Sequence, residues 1–173
     1  KLTDINGNIL YEKNDNSTQV LNSSDTYILN NLLTATYDNA FRDYNNPTII
    51  NLASKISRKY AMKTGTTNTD CWMIGYNPDV LMLVWNGYDD NRELKLSNSI
   101  ISKNIWVETI EDYLKDKEDS WYEKPDNVVG IPRDAVTGKD VTDVNKSFVY
   151  YYVKVSEIVV INDVSYSIEK LEN

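Results

Sequence analysis

The chain has no histidine and a single cysteine, Cys71, in 173 residues. Without histidine it holds no Ser-His-Asp or Cys-His mechanism of its own and no His-ligated metal site. One cysteine excludes an internal disulfide and a cysteine-rich zinc site, and assigns no redox compartment. Six glycines and four prolines leave few turn markers, and two phenylalanines stand against thirteen tyrosines. That balance predicts a core edged by amphipathic aromatics. No apolar run approaches the ~20 residues of a membrane span. No secretory leader is visible, so any anchoring would depend on a segment outside these residues. No cofactor or metal is expected.

What is present is ordinary for a globular domain with a core: 41% hydrophobic and 25% charged residues. The net charge of −8 argues against a nucleic-acid partner. It is unevenly spread. Residues 44–69 carry Lys55, Arg58, Lys59 and Lys63 with no acid, whereas residues 108–143 carry eleven acids against five bases. Either two differently solvated faces result, or the basic stretch draws an anionic substrate toward Lys63.

Periodicity and breakers predict the elements. Thr3-Asp4-Ile5 and Ile9-Leu10-Tyr11 flank Asn6-Gly7, a hairpin signal. Ser23, Ser24 or Asp25 can cap a helix to about Tyr37, with Ile28, Leu29, Leu32 and Leu33 as its apolar face and Ala40 continuing it beyond the helix. Pro47 suits the first turn of a short helix to about Ile56. Tyr60 to Thr67, Cys71 to Tyr76 and Val80 to Gly87 read as strands. Their links, Asn68-Thr69 and Asn77-Pro78-Asp79, are too short for a parallel crossover, so the three form an antiparallel meander. A helix over about Glu93 to Lys117 follows, with Leu94, Ile100, Ile101, Ile105, Ile110, Tyr113 and Leu114 at near-helical spacing. Residues 118–146 read as a loop-rich connection. Phe148 to Val155, Glu157 to Ile161 and Val164 to Ile168 are β-prone. The fold class is therefore α+β: an antiparallel sheet, the meander over 60–87, with helices packed on it and a small β-rich C-terminal extension. The boundary falls near Trp121, giving 1–120 and 121–173.

The chemistry concentrates at Lys63-Thr64-Gly65-Thr66-Thr67. Acyl transfer by a nucleophilic serine needs main-chain N–H groups to hold the oxyanion, and a strand edge beside the nucleophile can supply one. Gly65 has no side chain, so a substrate can lie against the backbone there. The Thr64 and Thr66 hydroxyls can hydrogen-bond a carboxylate. Lys63 supplies positive charge and can orient neighbouring hydroxyls. A bare Lys-Thr-Gly is a weak signal, and its bland alternative is a strand ending in a turn.

The continuation is more specific. Asp70-Cys-Trp, Gly75-Tyr-Asn-Pro78 and Trp85-Asn-Gly-Tyr-Asp-Asp90 follow in order, and the whole stretch resembles the transpeptidase domain of penicillin-binding proteins, most closely the bifunctional class A type. Asn6 to Leu10, Tyr27 to Leu33, Asn104-Ile105-Trp106 and Pro125 to Gly138 extend the resemblance more weakly. Residues 147–173 match no known pattern.

The resemblance implies the C-terminal part of a peptidoglycan D,D-transpeptidase, with the fold shared by serine β-lactamases. Lys63 and Thr66 would be catalytic, with the Thr66 N–H as oxyanion donor. Lys63, Thr64, Gly65 and Thr66 would bind the carboxylate of a stem peptide or a β-lactam. The remainder of the transpeptidase domain would be a partner, and the location the extracytoplasmic face of a bacterial membrane. A D,D-carboxypeptidase or serine β-lactamase relative, and a non-catalytic wall-binding module derived from the fold, are the alternatives.

Three departures bear on this. Ser-x-x-Lys occurs only at Ser167–Lys170 and Ser-x-Asn only at Ser102–Asn104, both after Lys63. The family's order is the reverse, so the nucleophile is expected outside this chain, which alone would not catalyse. Met62 stands where the family often has glycine. Cys71 stands where a small residue is usual, and is expected to pack as a small hydrophobe. Trp72, Trp85 and Trp106 are expected in the core. Asp89-Asp90 reads as a solvated strand end before a cation site. Tyr150 to Tyr152 reads as strand alternation before a carbohydrate-facing surface.

Overall fold

A computed structural model describes residues 1–14, 18–141, 148–161 and 164–167. The chain opens with a ribbon, β1 (Leu2–Thr3) against β2 (Ile9–Tyr11). The loop between them is tied by Asp4, whose Oδ1 accepts from the N–H groups of Asn6 and Asn8, and Gly7 takes φ +85° there. Helix α1 (Ser23–Leu32) is capped by Asn22, one residue before the expected caps. It tightens into a 3-10 turn at Leu33–Thr36, short of the expected α-helix to Tyr37. The short helix after Pro47 is also 3-10, Ile50–Lys55.

The central sheet is the expected meander. β3 (Ala61–Thr66), β4 (Asp70–Tyr76) and β5 (Leu81–Gly87) pair antiparallel in sequence order, which leaves β3 on an edge among the described residues. Helix α2 (Ser99–Leu114) covers one face. The helix starts later than expected, after a 3-10 turn at Leu96–Asn98. Met62, Met73 and Val84 from the sheet meet Trp106, Val107 and Ile110 from α2, with Ile49, Leu52 and Tyr60 closing the core. Opposite Trp106 stands Gly75, where a Cβ would lie 2.5 Å from the indole. That glycine is what admits the ring, and the indole N–H donates to the Met82 carbonyl at 2.9 Å.

Several expected apolar faces differ. Leu29 and Leu32 of α1 are exposed, and its buried face is Ser24, Tyr27, Asn30 and Asn31. The burial is possible because these polar groups find partners: Asn30 accepts from the Tyr76 hydroxyl at 2.8 Å and Ser24 donates to Asn127 at 2.8 Å. On α2, Ile101, Ile105 and Tyr113 face outward, while Ser102 and Trp106 are buried in their place. Trp106 is core as expected, but Trp72 and Trp85 are 41% and 42% exposed. They pair with each other on the sheet face away from α2, centroids 6.2 Å apart.

Residues 118–146 are not a mere connection. They contain β6 (Val128–Asp134), which pairs antiparallel with β7 (Phe148–Lys154). The Asp134 carboxylate turns the chain at the end of β6 by accepting from the N–H groups of Val136 and Thr137. β8 (Ile158–Ile161) and β9 (Val164–Ser167) pair antiparallel, and Ile168 of the expected third strand lies outside the described residues. No helix among the described residues is long and apolar enough to cross a membrane.

Candidate functional site

Side chains alternate along a strand. Met62 points to the α2 core, so Thr64 and Thr66 share that face toward the end of β3, across from Met73 and Cys71. Lys63 and Gly65 belong to the other face, with Trp72 and Trp85. A Cβ on Gly65 would meet Trp72 at 3.4 Å, an ordinary contact. Bulk at Gly65 would therefore be felt by whatever approaches the strand from outside, more than by the protein.

The ladder decides which main-chain groups face the open edge. Thr67 N–H donates to the Asp70 carbonyl at 2.9 Å, and the register runs unbroken from Ala61↔Tyr76 to Thr66↔Cys71. Hydrogen-bonded and open pairs alternate in an antiparallel ladder. The N–H and C=O of Thr64 and Thr66 therefore turn away from β4, to the free edge. Lys63 Nζ bonds the Thr64 carbonyl at 2.6 Å on that same edge. One edge thus gathers an ammonium, an outward N–H at Thr66 and the hydroxyl-bearing threonines on either side of Gly65.

The rest of the basic stretch is structural. Lys55 pairs with Glu108 at 3.0 Å. Arg58 donates to the carbonyls of Leu114, Lys117 and Glu118, closing the C-terminal end of α2. Lys59 donates to Asn31 Oδ1 at 2.6 Å. Lys63 is the member of the four that bonds only its own strand, with no ion pair among the described residues. At the β3 edge, any pull on an anion therefore comes from Lys63 and not from the stretch as a whole.

Asp70 is the residue that sequence reasoning did not assign a role. Its carboxylate accepts from Thr69 Oγ1 at 2.6 Å, Trp85 Nε1 at 2.8 Å and Thr67 Oγ1 at 3.2 Å. These bonds, the Thr69 hydroxyl first, hold its pKa below the ordinary value. The carboxylate ties the β3–β4 turn to β5 and so fixes the end of the strand that carries Thr66. Thr-x-Thr-Asp across a tight turn was the available signal.

Cys71 is buried and outside any disulfide, behind Thr66, as a small packed side chain. Ser102 is buried inside α2, and Lys170 of the other formal motif lies outside the described residues. Asp90 lies 3.6 Å from Arg92, whose guanidinium covers the Tyr88 ring.

The meander with its helix has the α+β fold of penicillin-binding proteins. A crystal structure of penicillin-binding protein 1A from Haemophilus influenzae aligns with a TM-score of 0.54, over 68% of this chain and 19% of that one, at 22% identity. No family model matches the chain. Penicillin-binding protein 2D of Bacillus subtilis (strain 168) is 34% identical over 139 residues, 80% of this chain and 20% of that protein. Penicillin-binding protein 1A of Rickettsia bellii is 26% identical over 191 residues, 99% of this chain and 24% of that protein. The chain belongs to the penicillin-binding proteins, and spans about a fifth to a quarter of the length of these relatives.

Proposed function

We propose that this chain is the C-terminal segment of a serine D,D-transpeptidase that cross-links peptidoglycan, and that β3 is its substrate-docking strand. The observation that carries the proposal is the free edge of β3, with the Thr66 N–H turned outward and Lys63 beside it. A serine held opposite that edge, on a part of the protein beyond residues 1–173, attacks the carbonyl of a D-Ala-D-Ala stem. The Thr66 N–H receives the developing oxyanion. Lys63, Thr64 and Thr66 take the terminal carboxylate, and Gly65 lets the substrate backbone come close. Expulsion of D-Ala leaves an acyl-serine, which an amine of a second stem then resolves. A β-lactam enters by the same carboxylate contact. The working location is the outer face of a bacterial membrane.

The test is a chimera in which residues 1–173 replace the matching part of penicillin-binding protein 2D, assayed for its second-order acylation rate with a fluorescent penicillin. Lys63→Ala slows acylation more than Thr64→Ala, and Cys71→Ala leaves it nearly unchanged. Loss of acylation in Cys71→Ala together with normal acylation in Lys63→Ala overturns the assignment.

A further inference from the structure

Among the described residues, β7 pairs with β6 on one edge and with no strand on the other. Val155 N–H donates to the Asn127 carbonyl at 2.8 Å, and the register from Val128↔Lys154 to Asp134↔Phe148 is unbroken. The same alternation as in β3 turns the N–H and C=O of Phe148, Tyr150 and Tyr152 away from β6. Pro132 fits this phase. It pairs with Tyr150, at a position where the β6–β7 ladder asks for no N–H.

The other edge of β7 looks toward α1. The two elements meet at one end, through the Lys154–Asp25 ion pair and the edge-on rings of Tyr27 and Tyr152, 5.4 Å apart. Beyond that contact lies a groove of about 450 Å³, walled by residues 148–152 on one side and by Ile28, Asn31 and Leu32 on the other. Side chains alternate along a strand, so a wall made of consecutive residues is the strand's edge and not one of its faces.

Lys59 also lines this groove. It is partly buried, its ammonium donates to Asn31 Oδ1 at 2.6 Å, and it stands 4.7 Å from the centre of the Trp121 ring. No carboxylate among the described residues lies within 4.0 Å of it. Burial lowers its pKa. Asp38, on the same wall, uses Oδ1 to accept from the Ala40 N–H.

We propose that the groove binds an acidic peptide in extended form, added as a third strand along the free edge of β7 with one of its carboxylates on the Lys59 ammonium. The peptide backbone satisfies the outward N–H and C=O groups of Tyr150 and Tyr152. The carboxylate supplies the counter-charge that a half-buried ammonium otherwise lacks. The aromatic side chains on either side of the strand give an extended ligand apolar contact. The volume is that of a ligand pocket, large enough for a few residues and too small for a folded element. The carboxylate can be a chain terminus or an Asp or Glu side chain. This site is separate from the β3 edge and does not depend on the transpeptidase assignment.

The experiment titrates the 173-residue chain into fluorescein-labelled Thr-Val-Thr-Val-Glu and follows anisotropy. One companion peptide carries a C-terminal amide, a second ends in Gln instead of Glu, and a third is N-methylated on alternate amides. Saturable binding is expected, weakened by about tenfold or more when the responsible carboxylate is removed. The amide and Gln arms tell terminus from side chain. Lys59→Gln brings the acidic peptide down to the level of the companion that lacks the responsible carboxylate. Tyr150→Pro deletes an edge donor that β6 does not use and abolishes binding. The N-methylated peptide fails to bind the unaltered chain, which keeps the test independent of any variant's folding. Absence of saturable binding, undiminished binding by both the amidated and the Gln peptides, or binding of the N-methylated peptide overturns the proposal.

Discussion

At the scale of single residues, the fold turns on a few close approaches. Gly75 faces Trp106 across the core, and a Cβ there would lie 2.5 Å from the indole. Gly75→Ala should cost about 1–3 kcal/mol, as overpacking of a filled core does, and chemical denaturation measures it. Gly65→Ala should cost far less stability, since its Cβ meets Trp72 only at 3.4 Å. The contrast separates a glycine kept for packing from one that the proposed function has admitting a substrate. Asp70 makes a different prediction. Its pKa is held below the ordinary value by the Thr69, Trp85 and Thr67 bonds. A depressed carboxylate contributes stability that is present above its unfolded pKa and lost as pH falls through the folded value. The turn should therefore stay closed through neutral and mildly acid pH and loosen only below the ordinary Asp range. The Trp85 indole N–H resonance, followed by NMR during acid titration, reports it. A shift of that signal above pH 5, in the absence of global unfolding, would contradict the assignment.

At the scale of elements, what could be read in the sequence followed from short-range rules. The β3–β4–β5 meander was legible because its links are short and its β-prone runs are dense. The Lys63-Thr64-Gly65-Thr66 edge was legible through its motif. The α1 face was not, because the helix buries Asn30 and Asn31 and exposes Leu29 and Leu32. Polar burial depends on partners far along the chain, Tyr76 and Lys59 among them, which periodicity cannot supply. β6 was missed because Gly130, Pro132 and many nearby acids signal a loop. Pro132 is tolerated since the strand pairs on one side in a phase that leaves its nitrogen unused. The charge of the basic stretch fits either a solvated face or an attractor of anions, and in the structure most of it clamps helices. Arg58 is the clearest case, donating to three carbonyls at the end of α2. Arg58→Ala should lower stability by about 1–3 kcal/mol, with little effect on any activity at the distant end of β3. Thermal unfolding of the variant, with the far-UV signal of α2 as a second probe, checks both.

At the scale of the whole molecule, exposed apolar side chains gather on two faces. Trp72, Leu81, Leu83 and Trp85 are exposed on the far face of the sheet, and Ile101 and Ile105 on the outer side of α2. Folded monomers rarely leave such patches open without a use. Under the proposed function these faces, and the free edge of β3, meet the remainder of a longer protein. The chain alone should then form no covalent adduct with penicillin, since no Ser-x-x-Lys precedes Lys63. Intact mass spectrometry after incubation decides this, and a stable adduct on any serine would reverse the assignment. In the proposed function the Thr66 N–H, turned away from β4, serves as the oxyanion donor. Thr66→Pro removes that N–H without removing a bond of the β3–β4 ladder, while Thr66→Ala keeps the N–H and removes the hydroxyl. In the chimera with penicillin-binding protein 2D, the acylation rate with a fluorescent penicillin should fall about 10²–10³-fold further for Thr66→Pro than for Thr66→Ala. Equal rates for the two variants, with both folded, would contradict the account.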